Sequence, residues 1–363
     1  MYHLAHLVAA PIHTISRHTH LHPPPLHRLQ LRLQSHPVLE RIGSGMMSWN
    51  DLLSPSIPFW QLEDLRNVMA AKTVEARLLC ASALTYAIRG QKEMLEERDQ
   101  VEFFRGSGWI APPKVLFGDK DQVNACLFGE SQDGWVVAFR GTLPWDPQNI
   151  PNLIDWLQAF DAQPIEAIHY PGQVHSGFYQ ALEPLVEPVM ELLGEAVGRR
   201  KRSLLLTGHS KGGALASLFA WRVAQRYPDL ELQVVTYASA KPANAAFHDA
   251  YSRRIDHTRY EYGNDIVPHL PPSQDGLLRV LTSLPLIGDR FQDLARYDYR
   301  PLGKLRYVTH SGRIIDDDQA LRAERSLNLA SEIIRLRFAQ IAAEHSIRCG
   351  SGFVEALLGG LPC

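Results

Sequence analysis

A short apolar run that passes directly into a glycine-rich turn constrains the fold of this chain more than any other feature. The run is Ser203–Thr207, and Gly208-His209-Ser210-Lys211-Gly212-Gly213 follows it at once. The next residues, Lys211–Tyr227, have the apolar spacing of an amphipathic helix that ends before Pro228. A serine in a tight turn between a strand and a helix needs glycines two positions away, because side chains there would make the two elements collide. The sequence therefore predicts a strained turn with Ser210 at its tip.

The rest of the chain predicts one α/β domain. Short apolar strands alternate with helical patterns, which is typical of βαβ units and of a sheet covered on both faces. We therefore expect a mostly parallel central sheet with helices on both faces across residues 47–363, with an insertion at Leu278–Tyr297. The predicted helices are Thr73–Arg89, Pro184–Val197, Lys211–Tyr227 and Ala323–Ala343, and the predicted strands are Lys114–Phe117, Asn124–Gly129, Trp135–Phe139, Ser203–Thr207, Leu232–Tyr237 and Thr258–Tyr262.

The first 46 residues differ from the rest in composition. Residues 1–39 contain no acidic side chain, and eight of the 16 histidines fall between His3 and His36. Their irregular spacing, with no carboxylate or cysteine nearby, is a poor pattern for a metal site. We predict that 1–46 is an unstructured leader outside the fold, and Met46 and Met47 offer alternative starts that would remove it from the true protein.

Charge and composition exclude several classes of protein. The chain carries 37 Lys and Arg against 39 Asp and Glu, so it lacks the basic field that a nucleic-acid-binding protein needs. No stretch approaches the ~20 uncharged apolar residues of a membrane span. The four cysteines have no metal-like spacing, and no recognisable secretory signal precedes them. We therefore expect a soluble cytoplasmic protein with reduced thiols.

A serine nucleophile needs a base, and the base needs an orienting carboxylate. Asp265 comes directly after the predicted strand Thr258–Tyr262, and the carboxyl ends of parallel strands are where sites in α/β sheets assemble. A turn or cap residue is the other interpretation of Asp265. The remaining downstream carboxylates lie in helical or loop sequence; they include Asp229, Asp249, Asp256 and Asp275.

The base is less sharply defined than the carboxylate. His345 follows the predicted helix Ala323–Ala343 and begins a glycine-containing loop, which is where this topology would deliver a base. His310 lies between two strand-like runs and is the second choice. The other candidates after Ser210 are His248, His257 and His269.

Four blocks of sequence give the chain a resemblance to a known family. It resembles the class 3 lipases, the fungal-lipase-like α/β hydrolases, over roughly residues 120–275. The blocks are Val136-Val137-Ala138-Phe139-Arg140-Gly141-Thr142, Val174-His175-Ser176-Gly177-Phe178-Tyr179, Thr207–Ala216 and Asn264–Pro272. The sequence after Ala343, which contains His345 and Ser346, is similar to the family's histidine block.

The resemblance implies an α/β-hydrolase fold and hydrolysis of acyl esters through an acyl-enzyme. It assigns the nucleophile to Ser210, the carboxylate to Asp265 and the base to His345. It also implies an oxyanion hole made by the backbone N–H groups of Thr142 and Lys211, with Thr142 Oγ1 as a third donor. It implies no metal and no organic cofactor.

The chain departs from the family pattern at three places. Lys211 replaces the usual leucine after the serine, which leaves the backbone N–H in place but puts a charge near the mouth of the site. Lys241-Pro242-Ala243-Asn244 replaces the family's P-R-V-G-N text, and the tyrosine expected after His345 is missing. These departures concern local loops and the choice of base rather than Ser210 or Asp265.

Residues 143–160 correspond to the lid of the resembled lipases. Ile150, Leu153, Ile154 and Leu157 recur at helical spacing and form one apolar face. The segment is interpreted either as a lid that opens at lipid surfaces or as an ordinary core-facing helix. We favour the core-facing helix, because Pro144 and Pro147 would make the hinge stiff.

The sequence as a whole predicts a bacterial-type, cytoplasmic serine lipase or esterase of the triacylglycerol type. Its expected partners are a lipid or other acyl-ester substrate and, transiently, lipid surfaces. Phospholipase A1 or thioesterase activity would use the same triad. A catalytically silent α/β-hydrolase scaffold that binds a lipid or a partner is the alternative from another class.

Overall fold

The computed structural model describes residues 71–88, 97–118, 123–142, 163–197, 203–271, 273, 282, 297–335 and 337–358. All of them lie in one compact unit, Ile57–Cys363. The predicted leader 1–46, the segment 143–160 and nearly all of the predicted insertion Leu278–Tyr297 fall outside the described residues.

A mostly parallel sheet forms the centre of this unit, as the sequence predicts. Its eight described strands lie in the order β1-β2-β3-β6-β7-β9-β11-β12. Neighbours from β3 to β11 are parallel, whereas β1, β2 and β12 pair antiparallel at the two edges. The strands are β1 (Lys114–Phe117), β2 (Ala125–Ser131), β3 (Gly134–Phe139), β6 (Ser203–His209), β7 (Glu231–Tyr237), β9 (Asp256–Tyr262), β11 (Lys304–Val308) and β12 (Ile314–Asp316).

A second, small antiparallel sheet lies in the same unit, with the strand order β10-β8-β5-β4. Its strands are β4 (Pro164–Glu166), β5 (Gln173–His175), β8 (Ala243–Asn244) and β10 (Tyr299–Arg300). Each has only two or three residues.

Helices cover both faces of the central sheet. Alternate residues of a strand point to opposite faces. Leu204 and Leu206 of β6 therefore pack in the core with α3 (Ser176–Val197) and α4 (Lys211–Arg226), whereas Leu205 packs in the core with α1 (Val74–Leu84). The helices are α1 (Val74–Leu84), α2 (Glu97–Gly106), α3 (Ser176–Val197), α4 (Lys211–Arg226), α5 (Ala245–Ser252), α6 (Gln319–Ile334), α7 (Phe338–Glu344) and α8 (Gly352–Leu358), with 3₁₀ turns at Thr85–Ala87 and Val267–His269. The predicted architecture is therefore confirmed.

Helix α3 begins eight residues before the predicted start at Pro184, so that prediction was wrong. His175 precedes the helix, and its Nδ1 accepts hydrogen bonds from the N–H groups of Gly177 (3.1 Å) and Phe178 (3.3 Å). This side chain supplies a partner for helix N–H groups that would otherwise have none. Pro184 and Pro188 then lie inside the helix, where the buried apolar face of α3 offsets the two missing N–H donors.

The single helix predicted over Ala323–Ala343 is two helices, α6 and α7. Helix α6 begins after Asp318, whose side chain accepts the N–H of Leu321 at 2.7 Å. The break near Arg335 and Arg337 lets α7 run separately and end at His345, which is its C-terminal cap. Apolar periodicity continues across such a break, so the sequence did not reveal it.

The cysteines are not all reduced, which corrects the expectation from the sequence. Cys80 and Cys126 are buried free thiols, and burial raises the pKa of each thiol well above its usual value. Cys349 is disulfide-bonded. A disulfide persists most readily in an oxidising compartment.

We expect two of the four cysteines to resist alkylation in the denatured, unreduced protein. Intact mass measured after maleimide treatment should show two adducts before reduction and four after it. Cys349→Ser is the control, because it frees the partner thiol and should show three adducts without reduction. Four adducts on the unreduced wild type would contradict the disulfide.

Candidate active site

Ser210 lies at the tip of the turn between β6 and α4, as the sequence predicts for this strand, turn and helix. Its backbone has φ 60° and ψ −130°, a conformation that is strained for a residue with a side chain. Ser210 N–H donates to the Tyr237 carbonyl at 3.0 Å, and the Ser210 carbonyl accepts the N–H of Gly213 at 3.0 Å. The residue is only 2% exposed. The turn therefore fixes the serine rigidly at the start of the 16-residue helix α4.

The glycines around Ser210 are required by close contacts. A methyl group added at Gly208 would lie 2.3 Å from the carbonyl carbon of Gly212, and one added at Gly212 would lie 2.1 Å from the Phe139 carbonyl oxygen. Both distances are far inside van der Waals contact. Strand β3, strand β6 and helix α4 can approach this closely only because these positions lack side chains.

Replacing Gly212 by alanine is expected to destabilise the protein by about 3 kcal/mol or more, because backbone atoms of β3 would have to move. Gly194→Ala is the matched control, since Gly194 also lies in a helix and an added methyl would meet only the end of the Tyr227 side chain at 3.2 Å. Urea unfolding monitored by circular dichroism gives the free energy of unfolding of each variant. Equal values for the two variants would contradict the packing described for the turn.

Asp265 and His345 are brought together by the fold. Asp265 follows β9, is 1% exposed, and accepts the Val267 N–H at its Oδ1 at 2.9 Å. Its Oδ2 lies 2.8 Å from His345 Nδ1. Because a carboxylate only accepts, Nδ1 carries a proton, so the neutral form of the ring has Nε2 unprotonated, which is the tautomer that a general base needs.

The imidazole of His345 lies against His209, the residue before Ser210. The two rings have centroids 4.5 Å apart, and His209 Nε2 lies 3.0 Å from the His345 backbone oxygen. His209 directly precedes Ser210 in the chain. The candidate nucleophile, base and carboxylate therefore gather at the carboxyl ends of β6 and β9.

His310, the second choice for the base, belongs to a different contact. It lies in the turn between β11 and β12, is 52% exposed, and its Nε2 is 3.1 Å from Glu344 Oε1. Glu344 also accepts the Asn264 N–H and, at 3.2 Å, the side-chain amide of Gln340. His310 thus supports the loop that carries Asp265 and contacts Glu344 rather than Asp265.

Two of the other candidate histidines have contacts of their own. His257 is buried between Thr236 Oγ1 (2.9 Å) and Tyr251 Oη (3.1 Å), and burial lowers the pKa of His257 to about 3. His248 is exposed and pairs with its neighbour Asp249. Neither contacts the turn at Ser210 through these bonds.

The two residues assigned to the oxyanion hole flank the serine turn. Thr142 follows β3, and the residue before it, Gly141, packs so closely that an added methyl would lie 2.8 Å from the His209 carbonyl oxygen. Lys211 is the first residue of α4, so its N–H belongs to the helix N-terminus. Its Nζ donates to Asn124 Oδ1 at 2.9 Å, which holds the charge beside the start of β2.

A cavity of about 1050 Å³ lies elsewhere in the unit, against β9 and α6, and Ser210, Asp265 and His345 do not line it. Charged residues line it, and several of them are already paired. Arg259 Nε is 2.8 Å from Glu261, and Arg325 contacts the same carboxylate. Burial alone would raise the pKa of Glu261, but Arg325 and Arg259 hold this pKa at about 2. The cavity is therefore separate from the candidate active site.

Within the ranges that the structure describes, no group of three or more His, Cys, Asp or Glu side chains is arranged to hold a metal ion. Nor is any described helix long and apolar enough to cross a membrane.

The described fold has the architecture of the α/β-hydrolase fold, with Ser210, Asp265 and His345 near the carboxyl edge of its sheet. The serine turn between a central strand and a helix, the carboxylate after a later strand and the histidine after a later helix follow the chain order of that fold.

Parts of the chain are similar to known proteins. The family model Lipase (class 3) matches residues 136–275. A lipase of Rhizopus niveus is 31% identical over 157 residues, covering 42% of this chain and 38% of the relative. A lipase of Rhizomucor miehei is 30% identical over 159 residues, covering 41% of each. The crystal structure of a triacylglycerol lipase from Penicillium expansum has a TM-score of 0.49 and 16% identity, covering 72% of this chain and 90% of its own.

Residues 136–275 thus carry the match to the class 3 lipase family. They include Ser210 and Asp265 and end before His345. The chain spans about two fifths of the length of the curated relatives it matches.

Sequence reasoning missed three residues that contact the triad or its loops. These are Tyr86, His209 and Glu344. His209 was visible inside the serine turn, and Glu344 directly precedes His345. Tyr86 lies over 120 positions before the serine in helical sequence, and no local signal connects it to the site.

Proposed function

We propose that the protein is a serine hydrolase that cleaves acyl esters of lipids, of the triacylglycerol lipase or esterase type. The observation that carries this proposal is the 2.8 Å contact between His345 Nδ1 and Asp265 Oδ2, beside the strained turn that presents Ser210. The class 3 lipase match over residues 136–275 supports the same assignment.

In the first half of the reaction, Ser210 Oγ attacks the ester carbonyl carbon while His345 Nε2 takes the hydroxyl proton. The tetrahedral intermediate then collapses, the bond from carbon to the alcohol oxygen breaks, and the imidazolium donates its proton to the leaving alcohol. This leaves the acyl group on Ser210.

In the second half, His345 takes a proton from water and the resulting hydroxide attacks the acyl carbon. The bond to Ser210 Oγ breaks, the serine regains its proton, and the fatty acid leaves. Throughout, Asp265 keeps the His345 ring oriented and stabilises the imidazolium form.

The negative charge on the carbonyl oxygen develops near the N-terminus of α4. Backbone N–H groups of Lys211 and Thr142 are the proposed donors, with Thr142 Oγ1 as a third. The positive end of the α4 dipole adds to their effect. Lys211 supplies its backbone here, while its ammonium group is bound to Asn124.

The test is hydrolysis of p-nitrophenyl esters of graded acyl length by the full-length chain. Wild type should turn over these esters, and Ser210→Ala should lower kcat/KM by roughly 10⁴-fold or more. Preference for long acyl chains would identify a lipase, and preference for short chains an esterase.

Wild type and Ser210→Ala, compared on other substrates, distinguish lipase activity from phospholipase and thioesterase activity. Faster release of fatty acid from phosphatidylcholine than from triacylglycerol would assign a phospholipase, and faster release from an acyl thioester would assign a thioesterase. If wild type is no faster than Ser210→Ala on all of these substrates, the protein is a silent scaffold and the proposed function is wrong.

The cytoplasmic location, the bacterial-type character and transient contact with lipid surfaces remain predictions from the sequence. The disulfide at Cys349 favours an oxidising compartment over the cytoplasm. Alkylation of the endogenous protein in intact cells separates the two locations.

A further inference from the structure

His209 connects the serine turn to the loop that carries the base, although it has no place in the triad itself. It is 3% exposed and lies between two hydrogen-bond partners. Tyr86 Oη is 2.8 Å from His209 Nδ1, and the His345 backbone oxygen is 3.0 Å from His209 Nε2. A tyrosine after α1 and the carbonyl of the candidate base are thus joined through one imidazole.

The partners determine which ring nitrogen of His209 carries the proton. A carbonyl oxygen only accepts, so Nε2 must carry the hydrogen and donate it to His345. Nδ1 is then without a proton and accepts the Tyr86 hydroxyl. Burial, and secondarily the nearby His345, lowers the pKa of His209 well below its usual value, while burial raises the pKa of Tyr86. Both groups are therefore neutral donors at ordinary pH.

We propose that His209, held by Tyr86, is a positioning residue that sets the orientation of the His345 imidazole through the His345 backbone carbonyl. The proposal rests on the proposed function, in which His345 is the base. Asp265 restrains the ring of His345 from one side, and His209 restrains its backbone and lies tilted beside the ring.

The second restraint is needed because His345 lies at a helix end. It caps the seven-residue helix α7, and its side chain is 16% exposed. The bond to Asp265 alone would allow the ring to pivot about Nδ1 and carry Nε2 away from the serine. A base misplaced by about 1 Å can cost roughly 100-fold in rate.

The same tyrosine also contacts the loop before Thr142. A methyl group added at Gly141 would lie 1.9 Å from Tyr86 Oη and 2.8 Å from the His209 carbonyl oxygen. The proposed oxyanion loop, the serine turn and the base loop thus meet at the pair Tyr86 and His209. This arrangement explains why a polar, buried residue occupies position 209 rather than an apolar one.

The first test compares His209→Leu, which removes the donor, with His209→Gln, which places an amide donor at a similar reach. In the full-length chain, His209→Leu should lower kcat for a p-nitrophenyl ester about 10–100-fold and leave KM within about threefold. His209→Gln should restore most of kcat. Tyr86→Phe, which keeps the ring but removes the hydroxyl, should give a smaller loss in kcat.

The second test does not depend on hydrolysis. The proton that His345 Nδ1 shares with Asp265 should give a downfield ¹H NMR signal, absent from His345→Ala. In His209→Leu this signal should shift or broaden through exchange with water, and in His209→Gln it should return toward the wild-type position. If wild type hydrolyses no ester, the proposed function fails, but this signal still tests the positioning.

Thermal unfolding of each variant shows whether a loss of activity comes from misplacing His345 or from a loss of stability. Equal kcat and an unchanged NMR signal in His209→Leu would overturn the proposal. The proposal would also be overturned if His209→Gln and His209→Leu lost equal activity and if that loss followed their loss of thermal stability. If His209→Leu does not fold, Tyr86→Phe decides the matter, because an unchanged kcat and an unchanged signal in that variant contradict the role of the pair.

Discussion

His345→Ala should lower kcat/KM for a p-nitrophenyl ester by about 10⁴–10⁶-fold. Without the imidazole, no group takes the proton of Ser210 Oγ, and Asp265 loses the partner that lies 2.8 Å from it. The loss should appear almost entirely in kcat, because His345 acts on the proton of the serine rather than in holding the acyl chain. Steady-state kinetics of the full-length protein provide the measurement.

His310→Ala is the matched control for this prediction. His310 also follows Ser210 and also lies beside a carboxylate, but its partner is Glu344 and it is half exposed. Because His310 contacts Glu344 and not Asp265, we expect a change of about fivefold or less. A large loss in His310→Ala with a small loss in His345→Ala would reverse the assignment of the base.

Asp265→Asn should lower kcat by about 10⁴-fold even though the side chain keeps its size. Asp265 Oδ1 accepts the Val267 N–H, so the amide oxygen of the variant is held on that donor and its NH₂ group faces His345. His345 Nδ1 must then accept, which moves the ring proton to Nε2. An Nε2 that already carries a proton cannot take one from Ser210.

Asp249→Asn is the control for the change from carboxylate to amide. Asp249 is 67% exposed and pairs with His248 away from the triad, so its replacement should leave kcat/KM unchanged within error. Similar activity in Asp265→Asn and wild type would show that Asp265 is a structural turn residue, the other interpretation that the sequence allows.

The predicted fold and the predicted site depend on patterns that act locally. The runs Ser203–Thr207 and Trp135–Phe139 are apolar enough to be buried on both faces, and both are central strands of the sheet. Gly208 reflects a steric need of the turn itself, because a methyl group there would meet Gly212, so it reveals the turn locally; Gly212 is required by the close approach of β3.

Features that depend on distant contacts could not be read in the same way. The sequence predicted a helix start at Pro184, but α3 begins after His175. The sequence did not reveal this start, because the capping role of His175 depends on the orientation of its ring and not on its residue type. The break between α6 and α7 leaves the apolar spacing intact. The pair of Tyr86 and His209 forms only when α1 packs on the sheet, so neither residue alone predicts it.

Ser210 is tested most directly as the nucleophile by covalent labelling of the folded, full-length chain with an alkyl fluorophosphonate and peptide mass mapping of the product. The fluorophosphonate reacts with a serine only where a base activates it and an oxyanion hole binds the new oxygen charge. We expect one adduct, on Ser210, formed far more slowly in His345→Ala and absent in Ser210→Ala. No adduct on wild type, or an adduct on another serine, would show that Ser210 is not the activated nucleophile.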